Sequence, residues 1–432
     1  MAHGKQISVI GCGKLGLPLV AVLSDVGHKV IAMDKNVKLV ESLDRGSVPW
    51  YEPDLQEALD RNRSRILYTT SFSEAVRDCA FALIIVPSPS DDEGWFDKTY
   101  VEEALINLTQ EHMRINSEPL TVVIISTLMP GTVEELKRRV QSVTGGASNL
   151  IRIVYSPEFI ALGSVVSDMK NPSLVLIGSD DNEAAKDYID LVSTYVKTEP
   201  HFAIMSYESA EIAKIGVNSY VTMKISFANF ISELCDATND ASAYDVLTAI
   251  GSDSRIGRSY LKSGTPFGGP CFPRDNVALA KYAESRGVPS LMPTTVHSSN
   301  DLQIERIAKE IEDFIPKDFN IILVGYAYKP GTPVFEESAS AKVLEKLRSR
   351  RNVFVVDSYV DVVNVLPENI FDSSALSGGP VGAVLMVPDI HYQDWPTTLP
   401  PNSFLFDCWG SWSDYSSSNK FRYRRLGEGK HA

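Results

Sequence analysis

ISVIGCGKLGLPLVAVLSDVGHKVIAMD, residues 7–34, decides how the N-terminal half of this chain is built. A short β-branched run ends in the turn Gly11, Cys12, Gly13, Lys14, Leu15, Gly16, and an apolar helical stretch follows at once. A GxGxxG by itself is a weak signal, because any tight strand-to-helix turn favours glycine. Here it has its context: Gly27 can end the helix, KVIAM supplies a second strand, and Asp34 with Lys35 follows at its carboxyl end. Glycine permits the turn and a close approach of pyrophosphate, while the helix N-terminus offers free N–H groups and partial positive charge. An acid at position 34 can accept from ribose hydroxyls, which favours NAD over its 2′-phosphorylated form.

Outward from that turn, QISVIG, KVIAMD, FALIIVPSP, TVVIIST, RIVYSP and LVLIGS alternate with amphipathic stretches up to about Ser206, the pattern of an α/β domain around a mainly parallel sheet. The carboxyl ends of strands line the ligand crevice of such a sheet, so Val86, Pro87, Ser88, Ser126 and Thr127 are expected at the nicotinamide half of a bound cofactor. From Tyr207 to about Asn239 there is no proline and apolar residues recur at helical spacing, which reads as one long, largely buried helix. Helical patterning continues to about Asp301, broken by GTPFGGPCFP, where glycine and proline are too dense for a regular element. NIILVGYAYKPGT, NVFVVDS, GAVLMVPD and SFLFDCWG then provide four strands of a second, smaller nucleotide-binding-like domain. The fold class expected is α/β, with two Rossmann-like doubly wound domains joined by a long central helix and a helical region. The Ser-rich tail after about Gly410 reads as a frayed terminus.

Bulk composition narrows the classes. With 432 residues and 44% hydrophobic content, two or three globular domains are expected, and a net charge of −14 argues against a general grip on nucleic acid. The five cysteines are odd in number and lack the paired spacings of zinc sites or disulfide frameworks, so a reducing cytoplasm and no metal are the natural reading. No leader precedes the first strand and no apolar run approaches membrane-spanning length, so no membrane association is expected.

Two places carry chemistry of another kind. Lys214 and Asn218 are one helical turn apart and share a face; a buried ammonium among Ile212, Ala213 and Ile215 can serve as base or oxyanion stabiliser. A solvated lysine on the polar stripe is the plain alternative. In GTPFGGPCFPRDN, Cys271 precedes Pro273, a residue suited to the first turn of a helix, and Asp275 follows one turn later. A helix N-terminus stabilises a thiolate, and Gly268 with Gly269 lets a substrate approach the backbone, which suits a nucleophile. A buried inert cysteine is the alternative here.

Taken together, GCGKLGLP, VPSP, STLMPGT, YSPEFIALG, AEIAKIGVNSYVTMKISFAN, SDSRIG, FGGPCFPRD and GYAYKPGT resemble the UDP-glucose/GDP-mannose dehydrogenase family, in the family's order. The resemblance implies an NAD-binding Rossmann domain over 1–206, a central helical dimerisation region with the catalytic cysteine loop over 207–301, and a nucleotide-sugar domain over 302–432. It implies two hydride transfers to NAD from a sugar C6 alcohol, with Cys271 capturing the aldehyde as a thiohemiacetal that becomes a thioester and is hydrolysed. Lys214 and Asn218 would stabilise oxyanions, Asp275 would tune Lys214 and hold water, and Thr127 with Glu158 would position that water. Substrate contacts would come from Glu158, Phe159, Ile160 and Leu162, from Tyr260, Lys262, Phe267 and Gly268, and from Tyr328 and Lys329. Arg255 would reach the sugar across a homodimer or higher homo-oligomer.

Several residues depart from the family pattern. Arg274 stands for a lysine, Pro270 for a small polar residue, Leu162 for an acid, Val334 and Glu336 for an acid and an arginine, and Trp409 for a substrate-contacting arginine. UDP-glucose leads the expected substrates, ahead of UDP-galactose, a UDP-N-acetylhexosamine and GDP-mannose. A two-electron 3-hydroxyacid dehydrogenase and a catalytically silent nucleotide-sugar binder are the competing readings.

Overall fold

A computed structural model describes residues 5–145, 150–365, 367–369, 371, 376 and 379–429. The chain divides into two compact units, Met1–Gly216 and Val217–Ala432.

In the first unit, strands β1 (Gln6–Ile10), β2 (Lys29–Met33), β3 (Ile66–Thr69), β4 (Phe81–Ile84), β5 (Leu120–Ile124), β6 (Ile151–Tyr155), β7 (Leu174–Gly178) and β8 (His201–Met205) form one sheet in the order β3-β2-β1-β4-β5-β6-β7-β8. All neighbours run parallel except β6 and β7, which meet antiparallel at Tyr155 and Gly178. Helices cover both faces, so β4 and β5 are buried along their whole length and read as unbroken apolar runs. β3 and β8 escaped the sequence reading for the opposite reason: both are edge strands with mixed exposure, and their apolar signal is diluted. The order of strands reverses between β1 and β4, and the crevice opened at their carboxyl ends is where such sheets take ligands.

In the second unit, β9 (Ile321–Val324), β10 (Val353–Val356), β11 (Gly382–Leu385), β12 (Phe404–Asp407) and β13 (Arg422–Arg425) form an all-parallel sheet in the order β10-β9-β11-β12-β13. β13 corrects the expectation of a frayed tail. Trp412 is fully buried, Leu426 nearly so, and the amide of Gly427 donates to the Asp236 carboxylate at 3.1 Å. A Ser-rich average hid a few large apolar residues placed where each one packs.

The long helix runs over Tyr207–Asp236, 30 residues. Its buried side carries a row of polar residues, Glu211, Lys214, Asn218, Thr222, Ser226, Asn229 and Ser232, beside the apolar Ala210, Ile215 and Ala228, while Tyr220, Phe227, Phe230 and Leu234 are exposed. The reading of a largely buried helix is therefore corrected on one side. From Asn218 onward the polar row is satisfied within the second unit by side chains and loops: Asn276 Nδ2 donates to Thr222 Oγ1 at 2.8 Å, and Asn229 Oδ1 accepts from the Gly264 amide at 3.0 Å. Among the described residues no helix is long and apolar enough to cross a membrane, and no group of His, Cys, Asp and Glu is arranged to hold a metal ion.

Candidate active site

The glycine turn after β1 is as tight as its sequence implies. Gly11 has φ +99, and a Cβ on Gly16 would lie 1.8 Å from the Gly11 carbonyl oxygen, so the strand-to-helix approach excludes any side chain there. A Cβ on Gly13 would meet nothing within 4 Å, and Gly13 and Lys14 are exposed, leaving the helix N-terminus open to a ligand. Leu15 is the residue before the helix Gly16–Asp25 and offers it no side-chain cap, while Cys12 is buried and its thiol is held well above the usual range by burial and by Asp34.

Asp34 accepts from the Cys12 amide through one oxygen and from the Asn36 amide through the other, both at 2.8 Å. A carboxylate offers about four lone-pair positions, so capacity for two ribose hydroxyls remains. The second unit supplies an internal control. Asp357 ends β10 as Asp34 ends β2, but its two oxygens accept from the amides of Tyr326, Ala327, Tyr359 and Val360 at 2.6–3.0 Å. All its lone pairs are spent on its own backbone, and the residues that fit NAD are those of the first unit. Lys35 turns aside, with its ammonium 4.4 Å from the Tyr100 ring centroid and 3.7 Å from Glu103.

At the neighbouring strand ends, Ser126 Oγ donates to the Val86 carbonyl at 2.7 Å and accepts from the Val86 amide at 3.0 Å. The hydroxyl expected to face a cofactor also locks the ends of β4 and β5 together, and so shapes the segment holding Pro87 and Ser88. Ser88 is buried, while Thr127 keeps partial exposure.

Lys214 is 6% exposed, which decides against the solvated-lysine alternative. Its Nζ donates to the Glu158 carbonyl at 2.7 Å and lies 4.4 Å from the Phe159 ring centroid. Burial pushes the Glu158 carboxyl up to about 7, against the opposing pull of the Lys214 charge. Ile160 and Leu162 pack against the apolar core of the first unit, which accounts physically for an apolar residue at 162. Glu52, absent from the sequence reading, accepts from the Gly163 and Val165 amides at 2.9 and 2.8 Å and so holds the YSPEFIALG loop. Nothing local in the sequence points to it.

In the second unit, Cys271 is the residue before the helix Phe272–Ser285, with Pro273 in its first turn. Cys271 is exposed, while Cys12, Cys79, Cys235 and Cys408 are buried, which decides against an inert core thiol. Asp275 is 1% exposed; it accepts from Asn218 Nδ2 at 2.6 Å and pairs with Arg274 at 3.6 Å. The loop before Cys271 is pressed onto the segment after β9. A Cβ on Gly268 would lie 2.2 Å from the Glu337 carbonyl oxygen, and one on Gly269 would lie 2.6 Å from the Tyr328 ring. The Gly269 amide donates to the Glu336 carbonyl at 3.1 Å, so Glu336 acts here through its backbone and its side chain is exposed. Pro270 completes this turn. Val334 contributes its carbonyl to the Tyr328 amide at 2.9 Å.

Phe267 is buried and exchanges both backbone hydrogen bonds with the Asn300 side chain at 2.9 Å. Lys262 lies 5.8 Å from the Trp409 ring centroid, and Trp409 fills the space beside Gly264, fixed by its Nε1 donating to the Met386 carbonyl at 2.9 Å. Burial and the Arg425 charge lower the Lys262 pKa. Lys329 sits 6.0 Å from the Tyr328 ring centroid. Tyr260 and Arg255 are exposed, and the Arg255 guanidinium is held by Asp253 at 2.6 Å.

Residues 5–196 match the NAD binding domain of the UDP-glucose/GDP-mannose dehydrogenase family, and residues 208–302 match its central domain. The chain belongs to that family. Among curated relatives, a putative UDP-glucose 6-dehydrogenase, YtcA, of Bacillus subtilis is 31% identical over 345 residues, covering 79% of this chain and 78% of the relative. A UDP-glucose 6-dehydrogenase of Pseudomonas aeruginosa is 30% identical over 353 residues, with 79% and 76% covered. A solved UDP-glucose dehydrogenase from Pyrobaculum islandicum superposes with a TM-score of 0.85 at 28% identity, over 99% of this chain and 98% of that one. The UDP-N-acetyl-mannosamine dehydrogenase Cap5O of Staphylococcus aureus shares the fold at a TM-score of 0.77, with 19% identity and 98% of each chain covered. Like its family, this chain is an NAD-dependent nucleotide-sugar dehydrogenase with a Rossmann domain.

Proposed function

We propose that the chain oxidises the C6 alcohol of UDP-glucose to the carboxylate through a covalent intermediate on Cys271. The observation that carries this is the exposed thiol at the start of a 14-residue helix in a chain whose other four cysteines are buried. When bound, NAD accepts one hydride at each of two oxidation steps. After the first, the Cys271 sulfur bonds to the aldehyde carbon and the carbonyl oxygen gains a proton, giving a thiohemiacetal. Loss of its carbon-bound hydrogen as the second hydride, with the hydroxyl proton passing to solvent, leaves a thioester. Water then adds to that carbon, the C–S bond breaks, and the sulfur leaves as thiolate while the acid ionises. Lys214 and Asn218 stabilise the oxyanions, Asp275 orients Asn218, and Thr127 with Glu158 positions the water. Capture on sulfur keeps the aldehyde from escaping.

In this reading residues 1–206 bind NAD, 207–301 carry the cysteine loop and the dimer contact, and 302–432 hold the nucleotide sugar, with Lys262, Tyr328 and Lys329 toward the nucleotide. A homodimer is supported by the exposed apolar stripe Tyr220, Phe227, Phe230, Leu234, whose spacing is that of a helix seam. The absence of disulfides among the five cysteines of the described residues supports a cytoplasmic enzyme. Trp409, packed on Gly264 where the family has an arginine, favours a second reading in which the sugar or base differs: UDP-galactose, a UDP-N-acetylhexosamine or GDP-mannose.

A panel of UDP- and GDP-sugars, followed by NADH release and product mass, tests both readings. Two NADH per sugar acid are expected, and Cys271→Ser should stop at or before the aldehyde. One NADH per sugar, with turnover unchanged in that variant, would reject the covalent route.

A further inference from the structure

Glu211 is fully buried on the long helix, three residues before Lys214, and the reaction above does not use it. Its carboxylate accepts from the Gly131 amide at 2.6 Å and from the Val133 amide at 2.8 Å, across 80 and 78 residues of sequence. These amides open the helix Thr132–Thr144, whose own preceding residue, Gly131, has φ +93 and no side chain to cap it. Four N–H groups at a helix start need acceptors, and here a distant carboxylate supplies what the local sequence lacks.

The segment so held is the loop over residues 126–131. Ser126 pins its start to Val86, the Tyr155 hydroxyl accepts from the Leu128 amide at 3.4 Å, and Glu211 pins its end. Thr127 lies inside it, partly exposed. Burial raises the Glu211 carboxyl to about 7, offset by the amides it accepts from and reinforced by the nearby Glu208 charge, so this contact is kept at an energetic cost.

We propose that Glu211 is a positioning residue, clamping the Thr127 loop to the helix that carries Lys214 so that the loop is set before cofactor and water arrive. The proposal rests on the reading that Thr127 serves the reaction. A purely structural cap would alter stability and leave the kinetics of the folded enzyme alone, whereas a clamp must show in the cofactor KM.

Glu211→Gln keeps the shape and one acceptor while turning donors toward the second amide. Amide exchange over residues 128–136 should accelerate about tenfold, the effect of losing one good hydrogen bond in a locally opening segment. The NAD KM should rise about fivefold while the KM for the nucleotide sugar stays within about twofold, a split expected when one loop and not the fold is loosened. Glu211→Asp, which keeps both oxygens but shortens the reach, should fall between wild type and Glu211→Gln, and it serves the same comparison if the latter does not fold. Unchanged exchange over 128–136 would overturn the clamp, as would faster exchange with both KM values and kcat unaltered. Thr127→Ala provides the separate check: wild-type NAD KM and kcat in that variant would remove Thr127 from the reaction, while exchange in the Glu211 variants would still judge the clamp.

Discussion

Lys214 and Glu158 form the most informative pair of residues in the first unit. The ammonium is anchored on the Glu158 backbone carbonyl, which leaves the Glu158 carboxyl near it to change charge at about pH 7. In the proposed reaction the carboxylate takes a proton from water above that pH. The water-dependent release of product should therefore rise with pH through about 7 and then level, and Glu158→Gln should abolish the inflection in single-turnover acid production. Stability runs the other way. A carboxyl raised from 4.5 to about 7 contributes stability that is full below 4.5 and is lost as pH climbs through 7. Lys214→Ala should lower kcat by about 10²–10³, the usual scale for removing one oxyanion donor, with little change in melting temperature. The burial of this ammonium was not legible from spacing, since helical periodicity puts a lysine equally well on a wet stripe.

Elements are held here by contacts of very different range. The GxGxxG turn is read from adjacent residues, and its strand-turn-helix geometry is the one expected: Gly16→Ala would drive a methyl to 1.8 Å from the Gly11 carbonyl oxygen. That overpacking should cost about 1–3 kcal/mol and abolish NAD binding by calorimetry, since the strand and helix must part. The two buried glutamates that cap distant segments are another matter. Glu52 reaches Gly163 and Val165 across 111 and 113 residues, and Glu211 reaches the helix Thr132–Thr144 from the long helix. A capping motif is recognisable only when cap and helix are adjacent in sequence, so neither was visible. Glu52→Ala should lower stability by about 1–2 kcal/mol in urea and raise the KM for the nucleotide sugar, because the YSPEFIALG loop loses its hold.

On the scale of the whole molecule, the long helix buries a row of polar residues beside Ile215 and Ala228 and leaves the apolar stripe Tyr220, Phe227, Phe230 and Leu234 exposed, unlike an ordinary surface helix. If the proposed homodimer is seated on this stripe, Phe227→Asp should yield a monomer in sedimentation velocity, and a dimer that persists would place the interface elsewhere. The tail is part of the second unit, since Asp236 at the end of this helix both pairs with the nearly buried Arg306 and accepts from Gly427. Asp236→Ala should cost about 3–5 kcal/mol by stranding a buried cation, read as a loss of melting temperature. By itself the sequence determined the α/β class, the dinucleotide turn, the choice of NAD and the family, because each of these is written in residues close together along the chain. Tertiary structure alone decided which cysteine is exposed, which acid at a strand end keeps free lone pairs, that the tail forms a strand, and which carboxylates hold the site loops. Those outcomes depend on groups brought together from a hundred residues away, where burial and hydrogen-bond satisfaction, not local pattern, select the partner.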